Sequence, residues 1–320
     1  MLHAYQESHG HLIGLPSGAA LADAIWIDLH APTSDEAAAV AALGLQIPTI
    51  EDMEEIEISN RLYRESGTDY MTIQLTGHSE SNAPLSGPVT FILTPARLVT
   101  VRHHASRPFE TYPTRADKVG PGCGSANALF LSLLEEIVGR LADLLESSGR
   151  SLDHVSRSVY TPGKRGQNQK RLEVALRLIG REAELLGNIR LALLTLSRAL
   201  GFYGQTARER TGDEGLSGMV ANLTRDIDSL EVHTDFLSQR VGLTSDATLG
   251  MINLAQNATV RIVSVVAVLF SPPTLIASIY GMNFAIMPEL AQPLGYPSAL
   301  IAMLASSAIA YLYFRWKNWL

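Results

Sequence analysis

Three sets of residues in this 320-residue chain have types and spacings that could do chemistry. The first is Tyr280-Gly281-Met282-Asn283, which closes a long apolar run. The Asn283 amide offers both a carbonyl acceptor and an NH2 donor with no net charge, so it can hydrogen-bond a polar partner without gripping it electrostatically. The second is a stripe along that run. Asn257, Ser264, Ser271 and Ser278 recur every seven residues, with Ala267 and Thr274 on nearby turns, and the remainder is Val, Ile, Leu and Phe. Such a stripe serves either close packing against another helix or the lining of a polar path. The third is the acidic series Asp226, Asp228, Glu231, Asp235 and Asp246, either a solvated helix face or a surface for a divalent cation.

Other constellations carry less. Glu51, Asp52, Glu54, Glu55 and Glu57 read as a solvated helix face, with divalent-ion sensing as the alternative. His3, His9 and His11 near the N-terminus, and His103-His104 at a strand end, have neither an i, i+4 partner nor a cysteine beside them, so they read as surface or strand-end histidines. Cys123, the one cysteine, excludes an intrachain disulfide and a cysteine-based zinc site; it reads as a small, partly buried residue in a Gly-rich turn. No Gly-rich phosphate loop and no Ser/His/Asp or Cys/His set appears with supporting context, which argues against an enzyme. The net charge is −7, and no basic cluster is interleaved with aromatics, which argues against nucleic acid.

The elements that position these residues follow from charge and punctuation. From Ile262 to Pro288, and again from Leu290 to Phe314, the chain has no Asp, Glu, Lys, Arg or His. A membrane-spanning helix needs about 20 mostly apolar residues, so each run is long enough to cross. Between them Gly281, Asn283, Pro288 and Pro293 interrupt any helix, which predicts a helical hairpin. Its tip carries no Lys or Arg, whereas Arg240 and Arg261 precede the first run and Arg315 and Lys317 follow the second. Positive residues stay on the cytoplasmic side, so both termini and the soluble region are expected in the cytoplasm. Met1 to His11 lacks the basic flank and apolar core of a secretory signal.

Upstream, 1–124 reads as mixed α/β. Ala24 to Leu29 alternates like a strand, Thr33 or Ser34 caps an alanine-rich helix, and Asp69 to Leu75, Val89 to Leu93 and Leu98 to Val101 are further strands. Across 125–215 apolar residues recur at three- and four-residue steps. Leu129, Leu133, Ile137 and Leu141 mark one helix, and Leu172, Leu176, Ile179, Leu186 and Ile189 mark a second, from about Asn168 to Ala199. A break at Thr161 to Gly166 makes them an antiparallel pair, and Thr211 to Gly215 forms the next turn. From Leu216 to Tyr280 no proline intervenes before Pro272-Pro273, which predicts one helix of about 60 residues, on the order of 90 Å long: a stalk over 216–259 and a first membrane helix over 260–280. A loop over 281–294, a second membrane helix over 295–314 and a tail over 315–320 complete the chain.

Tyr280-Gly281-Met282-Asn283, followed by Met287-Pro288-Glu289-Leu290 and by Lys317-Asn318-Trp319-Leu320, resembles the CorA family of divalent-cation channels. The resemblance is densest from Asn253 to Leu320. It implies an α/β cytoplasmic domain with long helices in a funnel, two C-terminal membrane helices, a homopentamer in the inner membrane, and lipid and divalent cations as partners. It also implies uptake of Mg2+, with Co2+ and Ni2+ as further cargo, and no cofactor besides transported and regulatory Mg2+. Gly281, Met282 and Asn283 would form the selectivity ring, with Gly281 supplying backbone freedom to aim carbonyls into the mouth. Asn257, Val260, Val263, Ala267, Ser271 and Thr274 would line the pore. Asp226, Asp228, Glu231, Asp235 and Asp246 would be candidates for the regulatory metal, although a family sensor aspartate aligns with Asn222 here. The zinc-transporting ZntB branch, sometimes linked to proton coupling, is the alternative. Against it stand the Gly-Met-Asn form and spans free of a buried acid or histidine for a proton relay.

Overall fold

The computed structural model describes the chain except residues 17–19, 56, 80–83, 162–167, 211–213, 283–287, 289–291, 293, 318 and 320, and gives the backbone alone for 58, 168, 207–210 and 214–215. It divides into two units, Met1–Arg157 with Arg177–Thr244, and Ser158–Leu176 with Ser245–Leu320.

The first unit is built on one seven-stranded sheet. Its strands are β1 (Leu2–Ser8), β2 (His11–Gly14), β3 (Trp26–His30), β4 (Leu62–Glu65), β5 (Thr68–His78), β6 (Pro84–Leu93) and β7 (Leu98–Arg102), in the order β2-β1-β3-β7-β6-β5-β4. Only β3 and β7 pair in parallel, with Trp26 opposite Leu98 and His30 opposite Arg102. Between β3 and β4 lie three short helices, α1 (Ser34–Ala41), α2 (Ile50–Glu54) and α3 (Ile58–Arg61); α4 (Arg107–Thr111) follows β7. Three long helices come next: α5 (Ala126–Tyr160), α6 (Asn168–Arg210) and α7 (Glu214–Tyr280). The chain closes with α8 (Gly295–Trp316).

Side chains alternate across a strand, and here both sheet faces are covered, so the central strands are apolar on consecutive residues. On one face Trp26, Phe91 and Leu98 meet Phe109, Tyr112, Phe130, Leu193 and Tyr203 in the larger core. Trp26 lies edge-on to Tyr112 at 5.8 Å, and Phe130 bridges Phe91 and Tyr203 at 5.6 and 5.0 Å. On the other face Ile27, Leu29, Ile92 and Val99 pack on Val40, Leu45 and Met53. Each such side chain contributes about 1.5–3 kcal/mol by leaving water.

Both short acidic helices begin with a capping box. Thr33 and Glu36 close α1, and Thr49 and Asp52 close α2, each hydroxyl accepting from the N3 amide while the carboxylate accepts from the cap's own N–H. Asp52 is therefore a cap rather than part of a free acidic face, and the helix within the acidic run spans only Ile50–Glu54.

The long helices extend past the sequence reading. The second of the pair runs to Arg210 rather than Ala199, and Glu214 and Gly215 already belong to α7; residues 211–213 of the expected turn lie outside the described residues. His103 and His104 follow the end of β7, as the strand-end reading had it, but His104 is not at the surface: it is 3% exposed. Burial, then the charge of Arg102, lowers its pKa to about 4.

A buried polar chain ties β3 to β7. The Trp26 indole donates to Thr100 Oγ1 (3.1 Å), which donates to Asp28 Oδ1 (2.8 Å). Arg102 grips Asp28 through Nε and Nη2, the latter at 2.8 Å, and donates through Nη1 to His104 O. Both members of this ion pair are at most 4% exposed, so removing one would strand the other's charge.

In the second unit α7 and α8 meet. The amide that Pro273 lacks would have bonded the carbonyl four residues earlier, Leu269 O. Ser307 of α8 donates to that carbonyl at 3.3 Å, the kind of repair that lets proline persist in an apolar helix. Val265 and Phe314 are buried here, at 4% and 7% exposure.

Candidate functional site

The C-terminal part of α7 holds all six residues expected along a polar path. Asn257, Val260, Val263, Ala267, Ser271 and Thr274 are exposed within the single chain. At about 100° per residue, they fall in a band roughly 120° wide. Val265 and Leu269, on the side that α8 approaches, lie about 140° and about 180° around the helix from its centre. The chain's own second apolar helix thus leaves this stripe open. Thr274 Oγ1 is turned back to Phe270 O at 2.7 Å, satisfying its hydroxyl inside the helix.

At the cytoplasmic-side end expected from the charge pattern, Asn257, Val260 and Ser264 join Arg261, Lys317 and Trp319 around a concavity of about 530 Å³. The C-terminal segment folds back there: Trp319 N–H donates to Phe314 O at 3.0 Å and its ring stacks on Phe314 at 5.7 Å.

At the other end, Gly281 N–H donates to Ala277 O (2.9 Å) and Met282 N–H to Ile279 O (3.3 Å), closing α7. Gly281 does not have a positive φ. Space is what favours glycine: a Cβ would stand 3.1 Å from Ala277 O. Asn283, together with Met287, Glu289 and Leu290 of the loop, lies outside the described residues.

By length and composition α6, α7 and α8 could each cross a membrane. They differ in what they bury. Nearly half of the apolar stretch of α6 is covered, by Leu186, Ile189, Leu193, Leu196 and Leu200 in the core of the first unit, whereas almost none of the apolar stretches of α7 and α8 is.

The acidic series is spread along α7. Asp226, Asp228, Asp235 and Asp246 are exposed and Glu231 half-buried; Asp235 is engaged by Arg190 at 3.1 Å. Asn222 is exposed as well. Among the described residues no group of three or more His, Cys, Asp or Glu converges as a metal site within the chain. The structure adds a carboxylate that spacing did not single out. Glu135 on α5 has its pKa raised by burial and then by the negative charge of Asp226, and its Oε2 is buried with no hydrogen-bond partner. It sits inside the leucine series that marked α5 as a packing helix, so periodicity gave no sign of it. His3, His9 and His11 belong to the β1–β2 hairpin, and Cys123, 1% exposed, donates to Gly10 O at 3.3 Å with its pKa pushed up by burial.

Residues 22–316 match the family model described as "CorA-like Mg2+ transporter protein". The magnesium transport protein CorA of Salmonella typhimurium is 36% identical over 324 residues, covering 100% of both chains. The complete structure of the CorA magnesium transporter from Methanocaldococcus jannaschii superposes with a TM-score of 0.74 at 17% identity, over 100% of this chain and 99% of that one. The ZntB cytoplasmic domain from Vibrio parahaemolyticus gives a TM-score of 0.55 at 13% identity, over 80% of this chain and 97% of that one. At such identity the two structural likenesses speak for the fold alone.

Proposed function

The chain belongs to the CorA family of Mg2+ transporters, and on that premise we propose that it conducts Mg2+ into the cell as a homopentamer in the inner membrane. Co2+ and Ni2+ are further cargo in this reading. The observation that carries it beyond family membership is the open stripe on α7: charge-free, small or polar at four of its six positions, and facing away from the chain's own α8. Two helices cannot enclose a pore, so a pore needs a ring of copies. On the same helix Val232, Phe236, Leu243 and Leu254 are 52–72% exposed, an apolar surface that neighbouring copies would cover.

In this reading α7 and α8 are the two spans, with both termini in the cytoplasm, and α6 keeps its apolar face in the soluble core. The uncharged path suits the cargo. Mg2+ dehydrates reluctantly and usually keeps several waters, and a ring of carboxylates would hold it too tightly to release it. Five Asn283 amides, beside Gly281 and Met282, would hydrogen-bond the water shell and leave it in place. The drive is the negative interior, worth roughly 4.6 kcal/mol per 100 mV for two charges. Mg2+ bound between copies at Asp226, Asp228, Glu231, Asp235 and Asp246 would offset their mutual repulsion and favour the closed state, and its loss would open the channel.

Ion competition tests the cargo. In proteoliposomes held negative inside, Mg2+ uptake should be reduced by external Co2+ and Ni2+ and be indifferent to a pH gradient. Zn2+ uptake accelerated by a proton gradient would replace this reading with the zinc-transporting one.

A further inference from the structure

We propose that the first unit also binds a small organic anion with an apolar body, in a cavity of about 230 Å³ between the β5–β6 end of the sheet and helices α4, α5 and α6. Its lining is apolar at Leu85, Leu141 and Leu185 among others, and polar at Arg107, Arg140 and Asn188. The protein has 32 Asp and Glu against 25 Lys and Arg, yet among the described residues no carboxylate lines this cavity. Arg102 and Arg115, by contrast, are paired, with Asp28 and Glu136. Neither Arg107 nor Arg140 has an ion pair or a side-chain hydrogen bond among the described residues. Arg107 and Arg140 also line a larger charged cleft with Glu135, Glu136, Asp143, Arg115 and Lys118, but none of those carboxylates lines the apolar cavity.

The chemistry selects the ligand. A guanidinium presents a planar fork of donors that matches a carboxylate or phosphate in two parallel hydrogen bonds. Two such forks beside an apolar wall fit a molecule that ends in an acid and has a hydrophobic body. Ligand pockets commonly measure about 300–1,000 Å³, so a cavity somewhat below that range holds a body of about one ring. Leu85, 42% exposed at the cavity edge, is apolar surface that such a body would cover. None of the residues expected along the ion path lines this cavity, and its chemistry takes a negative, organic ligand rather than a metal.

Calorimetric titration of the full-length protein in lipid nanodiscs tests this, with phenyl phosphate and benzoate as probes, and inorganic phosphate and phenol as controls for anion without body and body without anion. Saturable binding of phenyl phosphate or benzoate is expected, at least tenfold tighter than either control and weakened by salt; the stronger of the two probes identifies the acid group. Arg107→Gln with Arg140→Gln removes the charge, and Leu85→Trp fills part of the apolar space; each should weaken binding at least tenfold. Because the two variants alter different elements, one still reports if the other misfolds. No saturable binding of either probe at millimolar concentration, or equal binding in both folded variants, would overturn the proposal.

Discussion

Replacing Gly87 with alanine tests the packing around His104 at atomic detail. The imidazole lies against β5 and β6 where both strands carry glycine. A Cβ on Gly87 would stand 2.8 Å from His104 Nδ1 and 3.2 Å from Cε1, and its three nearest neighbours all belong to that one ring. A Cβ on Gly77 would stand 2.4 Å from His104 Cδ2 but 2.3 Å from the backbone oxygen of Ala105. That oxygen accepts from His78 N–H at 2.8 Å, and Ala105 N–H donates back to His78 O at 3.0 Å. Neither glycine has a positive φ, so alanine strains only the space. Overpacking a well-filled site costs about 1–3 kcal/mol, and disturbing the His78–Ala105 bridge adds about 1 kcal/mol per hydrogen bond. Gly87→Ala should therefore lower stability by about 1–3 kcal/mol and Gly77→Ala by more. The discriminating step is to repeat both in a His104→Ala background. There the Gly87→Ala methyl enters the vacated space and its cost should vanish, a coupling of about 1–3 kcal/mol, whereas Gly77→Ala should keep most of its cost because the Ala105 carbonyl remains. The assay is thermal unfolding of the full-length protein followed by tryptophan fluorescence, to which Trp26, Trp316 and Trp319 contribute, with about 2–4 °C expected per kcal/mol. If Gly87→Ala costs as much without the imidazole as with it, His104 is not packed where the structure puts it.

The same histidine predicts acid sensitivity. Its folded pKa of about 4 lies below the free value of 6.5, so between those pH values the unfolded state binds a proton that the folded state refuses. The contribution is unaffected above pH 6.5 and is lost as pH falls towards 4, by about 3 kcal/mol in all; urea unfolding from pH 7 to 4.5 should show this slope in the wild type and a shallower one in His104→Gln. Ser307→Ala should destabilise the α7–α8 pair by about 0.6–1.7 kcal/mol, by stripping the donor from Leu269 O. Ser306→Ala, whose hydroxyl donates to Met303 O within its own helix, should do little in the same melting assay. Limited proteolysis of the first unit should speed up when Mg2+ is chelated, and joint replacement of Asp226, Asp228 and Glu231 by asparagine and glutamine should remove that Mg2+ dependence. Identical cleavage with chelator and with millimolar Mg2+ would reduce the acidic series to a solvated face.

Local signals carried much of this architecture. The charge-free runs led directly to the apolar ends of α7 and α8, and the three- and four-residue leucine steps marked α5 and α6, because both are periodic and continuous. Strands buried on both faces, such as Val89 to Leu93, showed as apolar runs with few polar breaks, Thr90 being the one in that strand. The N-terminal hairpin did not: β1 and β2 are short, half exposed, and turn on His9-Gly10, with φ of 51° and 83°, in place of the more familiar Asn-Gly. Contacts between distant residues were equally hidden. Asp28 and Arg102 are 74 positions apart and Ser307 and Leu269 are 38 apart, and neither pair has a local pattern that announces it. Glu135 escaped for a related reason, since burial of a polar atom inside a helix leaves no mark on the helix's period; His104 was singled out, but nothing in the sequence just past β7 signalled its burial. The stripe on α7 was legible as small and polar; that α8 lies on the opposite side became evident only from the packing.

The central claim is that Mg2+ crosses through a ring whose mouth is set by Asn283. The most direct measurement is Mg2+ entry into proteoliposomes loaded with a Mg2+-sensitive dye, with the interior voltage stepped by a K+ gradient and valinomycin. Wild-type protein should admit Mg2+ at a rate that rises as the interior becomes more negative, and Asn283→Ala should assemble equally well yet admit almost none. Entry indifferent to voltage, or undiminished in Asn283→Ala, would contradict it.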